Sequence, residues 1–421
     1  MKTTGGAMER TTCVIAGGGP AGMVLGLLLA RGGVDVQVLE KHGDFLRDFR
    51  GDTVHASTIR LLDELGLGEE FRALPQSRLE RLAFPDPEGG VAVIGEFSRL
   101  SPPYDYVAMV PQWDFLDLLA DAAKEEPTFT LRMNTEVTEL VRDGDRVVGV
   151  RYRTADGAEG EIRAGLTVAC DGRGSILRDQ AGMRAREFPV PFDVWWFRLP
   201  RTEESGEVSG IQAHIVGHEM MLLINRGDYY QVAYFLKKGE DAHLRAEGVE
   251  RFRDRVANLA PEVADRVHTI GSMDEVKTLD VRLNRLRRWH TDGLLLIGDA
   301  AHAMSPIGGV GINVAVQDAV ATAALLAGPL RGRRVSESEL ARVRRRRWLP
   351  TAVTQGLQRL LQRVVVGPVI SGRRTTFPKP PLVLTRRFPA LRRIPAYLVA
   401  IGLRPEHAPE FSRRGGVGTT P

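Results

Sequence analysis

Two glycine clusters and one acidic turn hold the residue types and spacings in this chain that could do chemistry. In Gly17-x-Gly19-x-x-Gly22 the first glycine makes a tight turn, the second lets backbone approach a pyrophosphate, and the third lets a helix pack closely on a strand. Pro20 and Ala21 then open a helix whose N-terminus faces the phosphates. Glu40, 18 residues beyond Gly22, stands where a carboxylate accepts from a ribose hydroxyl. Asp171–Arg178 (DGRGSILR) follows the strand LTVAC and forms a tight loop able to approach a ligand, with Arg178 suited to a carboxylate or phosphate. The second cluster lies in GDAAHAMSPIGGVGINVAVQDA. Asp299 ends the apolar run GLLLI and can accept from a sugar-like hydroxyl. The run Pro306 to Asn313 presents free N–H groups at the positive end of a helix, which suits a group that becomes anionic, such as a reduced isoalloxazine.

These motifs need particular elements behind them. A strand at Thr11–Ala16, the glycine turn, a helix over Ala21–Gly32 and the alternating strand VDVQVLE make a βαβ unit. Helices are expected at Ser57–Leu65 and Gln112–Lys124, and strands over Thr128–Val150 and Gly160–Cys170. From Glu187 to Lys238 the pattern becomes all strand, which marks a second domain, and the chain returns to the first at Gly293–Ile297. The expected division is a discontinuous nucleotide-binding domain (1–80, 105–186, 278–330), an inserted β-sheet domain (81–104, 187–277) and a basic helical region (331–421).

Composition narrows the function classes. The 421 residues are 43% hydrophobic and 26% charged, ordinary for a globular protein. Cys13 and Cys170, each in a strand, offer no disulfide framework and point to a reducing, cytoplasmic setting. Cys13–Ala30 lacks charge, yet its three consecutive glycines and a proline would break a spanning helix. From Arg331 onward there are 20 Lys+Arg against 4 Asp+Glu, a net of +16, which leaves −12 on the preceding residues. Prolines and scarce aromatics in that region argue against nucleic acid. It is expected to dock on the acidic body, with weak association to an anionic membrane as the alternative. The segment LQRLLQRVVV sets Leu357, Leu360, Leu361 and Val364 on one helical face. No metal site is expected.

The three motifs in order, over roughly Thr11–Gly328, closely resemble the FAD-dependent aromatic hydroxylases of the para-hydroxybenzoate hydroxylase type, the single-component flavoprotein monooxygenases. The resemblance implies an α/β fold: a Rossmann-like FAD-binding domain with an inserted, mostly antiparallel substrate sheet and a C-terminal helical tail. It further implies that both glycine clusters grip one extended FAD. On that basis Gly17, Gly19, Pro20, Ala21 and Gly22 take the pyrophosphate, and Glu40 takes the adenosine ribose with Lys41 beside it. Arg50 falls near the pyrophosphate, Gln112 near the ribitol, and the backbone of Val137 near adenine. Asp171 and Arg178 would serve FAD and a visiting NADH or NADPH, Asp299 the ribitol, and Pro306, Gly309, Gly311, Ile312 and Asn313 the flavin ring.

The implied reaction is reduction of FAD by NAD(P)H, addition of O₂ to give a flavin C4a-hydroperoxide, and passage of one oxygen to an electron-rich aromatic small molecule. No second G-x-G-x-x-G stands in a βαβ context, so the nicotinamide visits rather than resides. Substrate contacts are expected from the inserted sheet through Trp196, Arg198, His214, His218, Tyr230 and Tyr234, with His214 as a candidate base and Tyr230 as a candidate catalytic partner beside Pro306 and Gly311. Asp228 stands where the para-hydroxybenzoate enzyme has an arginine, which argues against a simple benzoate. Alternatives on the same scaffold are a reductase or dehydrogenase, and a halogenase, which would need a relay lysine in a lysine-poor chain. The assembly is expected to be a monomer or homodimer.

Overall fold

The computed structural model describes residues 9–46, 53–85, 91–202, 210–332, 334–374 and 379–414. Its first layer is a parallel sheet centred on strand Glu9–Ala16. Val36–Leu39 and then Phe129–Arg132 pair on one side, Glu159–Ala169 and then Leu294–Leu296 on the other. Helices Pro20–Arg31, Gln112–Lys124 and Gly311–Arg331 pack beside one another. Cys13 to Ala16 are consequently all buried, and their strand reads as a continuous apolar run rather than an alternating one. The glycine turn and the Asp171 and Asp299 loops all leave carboxyl ends of these strands, where an open α/β sheet binds its ligand.

The second sheet is antiparallel, in the order Ile211–Val216, Glu219–Asn225, Tyr229–Lys237, Phe192–Pro200, Lys277–Leu279. Its two faces are divided by the period-two alternation of its strands. Trp195, Phe197, Leu199, Tyr230, Val232 and Tyr234 pack against helix Gly248–Leu259 through Phe252 and Val256. Val194, Trp196, Met220, Leu222, Ala233 and Phe235 look the other way, toward the nucleotide-binding layer.

The basic C-terminal region is built into the body. Helix Glu337–Leu361 begins at a capping box, in which Ser336 N donates to Glu339 Oε2 (2.7 Å) and Glu339 N donates back to Ser336 Oγ (3.4 Å). It packs along Gly311–Arg331. Helices Lys379–Arg387 and Arg393–Ala400, joined by the turn Pro389–Arg392, both lie over strand Val91–Glu96. The +16 of the region is thus partly neutralised by specific partners. Arg347 Nε donates to Asp318 Oδ1 (3.0 Å), and Arg414 Nη2 donates to Glu126 Oε1 (2.8 Å).

Candidate functional site

At the first glycine cluster, steric constraint explains each residue. Gly17 has φ +103°, and a Cβ there would meet Cys170 O at 2.5 Å. A Cβ on Gly22 would sit 2.0 Å from Gly17 O, so the helix could not approach its strand. Gly19 has nothing within 4 Å of its Cβ position and leaves room for a ligand over the start of helix Pro20–Arg31. Glu40, buried at the end of its strand, is oriented by Gly18 N (2.9 Å to Oε2) and His42 N (3.1 Å to Oε1). Lys41, Gln112 and Val137 border the same cleft.

At the second cluster Asp299 follows the buried strand Leu294–Leu296, and its Oδ2 accepts from Arg173 Nε at 3.2 Å. Asp171 Oδ2 accepts from Leu177 N (3.3 Å), while its buried Oδ1 has no hydrogen-bond partner, and burial raises this carboxyl above the usual carboxylate range. Gly309, at φ +62°, receives the Thr53 hydroxyl on its carbonyl (2.7 Å), and a Cβ there would strike that hydroxyl at 2.4 Å. The first-turn N–H groups of helix Gly311–Arg331 point away from any intrahelical acceptor. An extended dinucleotide fits this donor set: glycines clear the pyrophosphate, the part-exposed Asp299 carboxylate can accept from a hydroxyl, and a positive helix end faces an anionic ring.

Several residues stand elsewhere than expected. Arg178 lies outside the cavity wall; its guanidinium donates to Arg173 O (2.9 Å) and Ala300 O (3.4 Å), tying the two acidic loops together. Asn313 turns inward, where its Oδ1 accepts from His55 N (2.9 Å) and Thr58 Oγ1 (2.7 Å). Gly22 serves packing alone. His214 and Tyr230 project from the face that meets helix Gly248–Leu259: His214 Nε2 is 3.1 Å from Glu262, and the Tyr230 ring carries the Arg201 guanidinium at 5.5 Å. Neither can act on a molecule in the cleft. Tyr234 faces the same way and donates to Glu219 (2.6 Å), whereas Trp196 does border the cavity. Arg50 lies outside the described residues.

One cavity of about 1050 Å³ joins both glycine clusters to a chamber under the second sheet. The chamber walls are mostly apolar: Trp196, Leu222 and Phe235 from the sheet, Leu82 and Ile94 from the antiparallel hairpin of strands Arg81–Pro85 and Val91–Glu96, Leu361 from the end of helix Glu337–Leu361 and Val365 from the helical turn Gln362–Val366 after it. Pro306 and Gly311 lie at the junction with the dinucleotide cleft. Polar groups are few. Gln231 accepts from Arg226 (3.4 Å), and His55 Nδ1 lies 2.7 Å from Val399 O. A carbonyl only accepts, so His55 carries its proton on Nδ1 and leaves Nε2 as a bare lone pair. Burial pushes its pKa down to about 4, which keeps the ring neutral. Sequence reading passed over His55, because its partner lies 344 residues away.

Strand-end loops, glycine clearances and an apolar chamber that continues from the cleft define a dinucleotide-binding protein with a second compartment beside its cofactor site. A family model described as FAD binding domain matches residues 10–356. 6-Methylpretetramide 4-monooxygenase of Streptomyces rimosus is 35% identical over 393 residues, covering 91% of this chain and 91% of that protein. The 12-dehydrotetracycline 5-monooxygenase/anhydrotetracycline 6-monooxygenase of Streptomyces rimosus subsp. rimosus is 31% identical over 327 residues, 74% of this chain and 61% of that one. The solved structure of OxyS anhydrotetracycline hydroxylase from Streptomyces rimosus superposes with a TM-score of 0.73 at 24% identity, covering 93% of this chain and 76% of that chain. The chain belongs to this family of FAD-binding monooxygenases.

Proposed function

We propose that this protein is a hydroxylase of polycyclic phenols, using FAD, O₂ and a visiting NADH or NADPH. The observation that carries the substrate class is the chamber: its apolar walls and its continuity with the dinucleotide cleft suit a fused-ring molecule better than a single small acid. The relatives whose names specify pretetramide and tetracycline compounds support the same class.

Bound FAD supplies the activation of O₂ and the delivery of one oxygen atom to the ring. Glu40 would hold its adenosine ribose, the Gly17–Ala21 turn its pyrophosphate, and Asp299 with Asp171 the ribitol side. The first turn of helix Gly311–Arg331 would face negative charge on the flavin. His55 Nε2 would accept from a substrate hydroxyl, fixing which edge of the ring system lies toward Pro306. A ring system seated between the sheet and the C-terminal helices would itself exclude water from the reacting atoms. A halogenase relay is disfavoured by position, since Lys41, at the ribose end beside Glu40, is the only lysine among the described residues that line the cavity.

A substrate panel tests the reading. Nicotinamide oxidation should couple to hydroxylated product with three- and four-ring phenols, and para-hydroxybenzoate should give at most uncoupled oxidation. Efficient turnover of the one-ring acid with none of the fused-ring phenols would overturn it.

A further inference from the structure

The cavity reaches the surface between two C-terminal helices, and its rim is apolar. Leu360 (55% exposed), Val364, Ile394 (56%) and Leu398 border the cavity and also face outward. Tyr397, on the same helix as Ile394 and Leu398, is also exposed, as are Val383 (60%) and Leu384 on helix Lys379–Arg387 and Phe388 (52%) just after it; none of these four lines the cavity. Exposed arginines adjoin these residues along the chain, Arg386 and Arg387 immediately before Phe388 and Arg393 immediately before Ile394, and Arg373 and Arg374 are exposed as well. Between Glu339 and Glu406 the chain has fourteen Arg and one Lys without a single Asp or Glu. Clustered exposed apolar side chains of this kind mark an interaction site.

We propose that this face seats on an anionic phospholipid surface, with Val383, Leu384, Phe388 and Tyr397 entering the headgroup layer and the arginines pairing with lipid phosphates, so that the cavity mouth opens at the lipid boundary. The helices are inward-packed through Leu382, Thr385, Ala396 and Ala400 and outward-apolar through the residues above, an arrangement that suits a helix lying in an interface. Charge complementarity selects the occupant. A second copy docking by a twofold axis would bring arginine onto arginine, because such an interface is the same patch on both subunits. A bilayer rich in acidic headgroups offers opposite charge at each arginine and takes the apolar tips together. An apolar polycyclic substrate would then partition from the lipid directly into the chamber, which is where this inference meets the proposed function. The docking itself does not depend on what the chamber oxidises.

The test is flotation of the FAD-loaded protein with phosphatidylglycerol vesicles and with phosphatidylcholine vesicles at low and high salt. Expected are binding to the first only, release by salt, and a loss of binding in the triple variant V383D/L384D/F388D, with flavin content and nicotinamide oxidation unchanged. R386A/R387A should weaken binding by about tenfold or more. Failure to bind phosphatidylglycerol vesicles at low salt, or undiminished binding by the triple variant, would overturn the proposal. So would a dimer in sedimentation that the triple substitution dissolves.

Discussion

Asp299 and His55 show how far single side chains divide the work at this site. Asp299 already accepts from Arg173, and a bound hydroxyl would complete its shell, so Asp299→Ala should cost about 1.5–3 kcal/mol of flavin affinity, roughly ten- to hundredfold. Flavin titration of the apoprotein reads this directly, and unchanged affinity would remove Asp299 from the ribitol site. His55 carries a pH signature. Its folded pKa lies near 4 against an unfolded value near 6.5, so the unfolded chain binds the extra proton between those values. Stability from this group is complete above about pH 6.5, falls as pH drops toward about 4, and totals about 3 kcal/mol. Denaturant unfolding at pH 7 and pH 4.5 should show a smaller loss in His55→Gln than in the parent, alongside a raised KM for hydroxylated substrates; equal pH slopes would contradict the buried neutral assignment. Spacing singled out Gly17, Gly19, Glu40 and Asp299, which the fold brings to one cleft, because local turn chemistry dictates such residues. It misled at His214 and Tyr230, since alternation tells which residues share a strand face and not which face meets the ligand. Arg178 and Asn313 sit in ligand-binding motifs yet aim inward, and His55 has no local signal at all.

The elements that aim these residues are held by a buried charged chain. Asp318, on helix Gly311–Arg331, is fully buried; burial alone would raise its carboxyl, but His302 (2.5 Å) and Arg347 outweigh this and hold it below the usual range. Its Oδ2 also receives Gly298 N (3.1 Å), so the C-terminal helix is tied to the loop that presents Asp299. The depressed carboxyl contributes stability that is present above the unfolded value near 4 and is lost as pH falls below it. Arg347→Met leaves Asp318 short of a partner and should destabilise by about 3–5 kcal/mol, with flavin loss following because the Asp299 loop loosens. Thermal unfolding with and without added FAD checks this; a neutral substitution would show the chain to be dispensable. The βαβ unit and the strand-rich insert were legible from periodicity. The way Leu357, Leu360, Leu361 and Val364 line the cavity was legible only as a shared helical face, since what that face meets depends on the hairpin and sheet brought over from other parts of the chain.

At the scale of the whole molecule, two sheets built from interleaved stretches of sequence and the basic helical region that follows them converge on one cavity. Charge segregation was visible in composition, with +16 following −12 along the chain, but composition does not say that Arg347 is spent on the buried Asp318 and Arg414 on Glu126 while Arg387 and Arg393 stay exposed next to apolar residues. The central claim is that both glycine clusters hold one FAD whose reactive end opens into a chamber for a polycyclic ring. The most direct measurement is mass spectrometry of the product formed from a fused-ring phenol with NAD(P)H under ¹⁸O₂. The expected result is incorporation of one ¹⁸O atom into the ring. Product oxygen that derives from water, a halogenated or reduced product, or peroxide release with the phenol unchanged across the panel would contradict the claim.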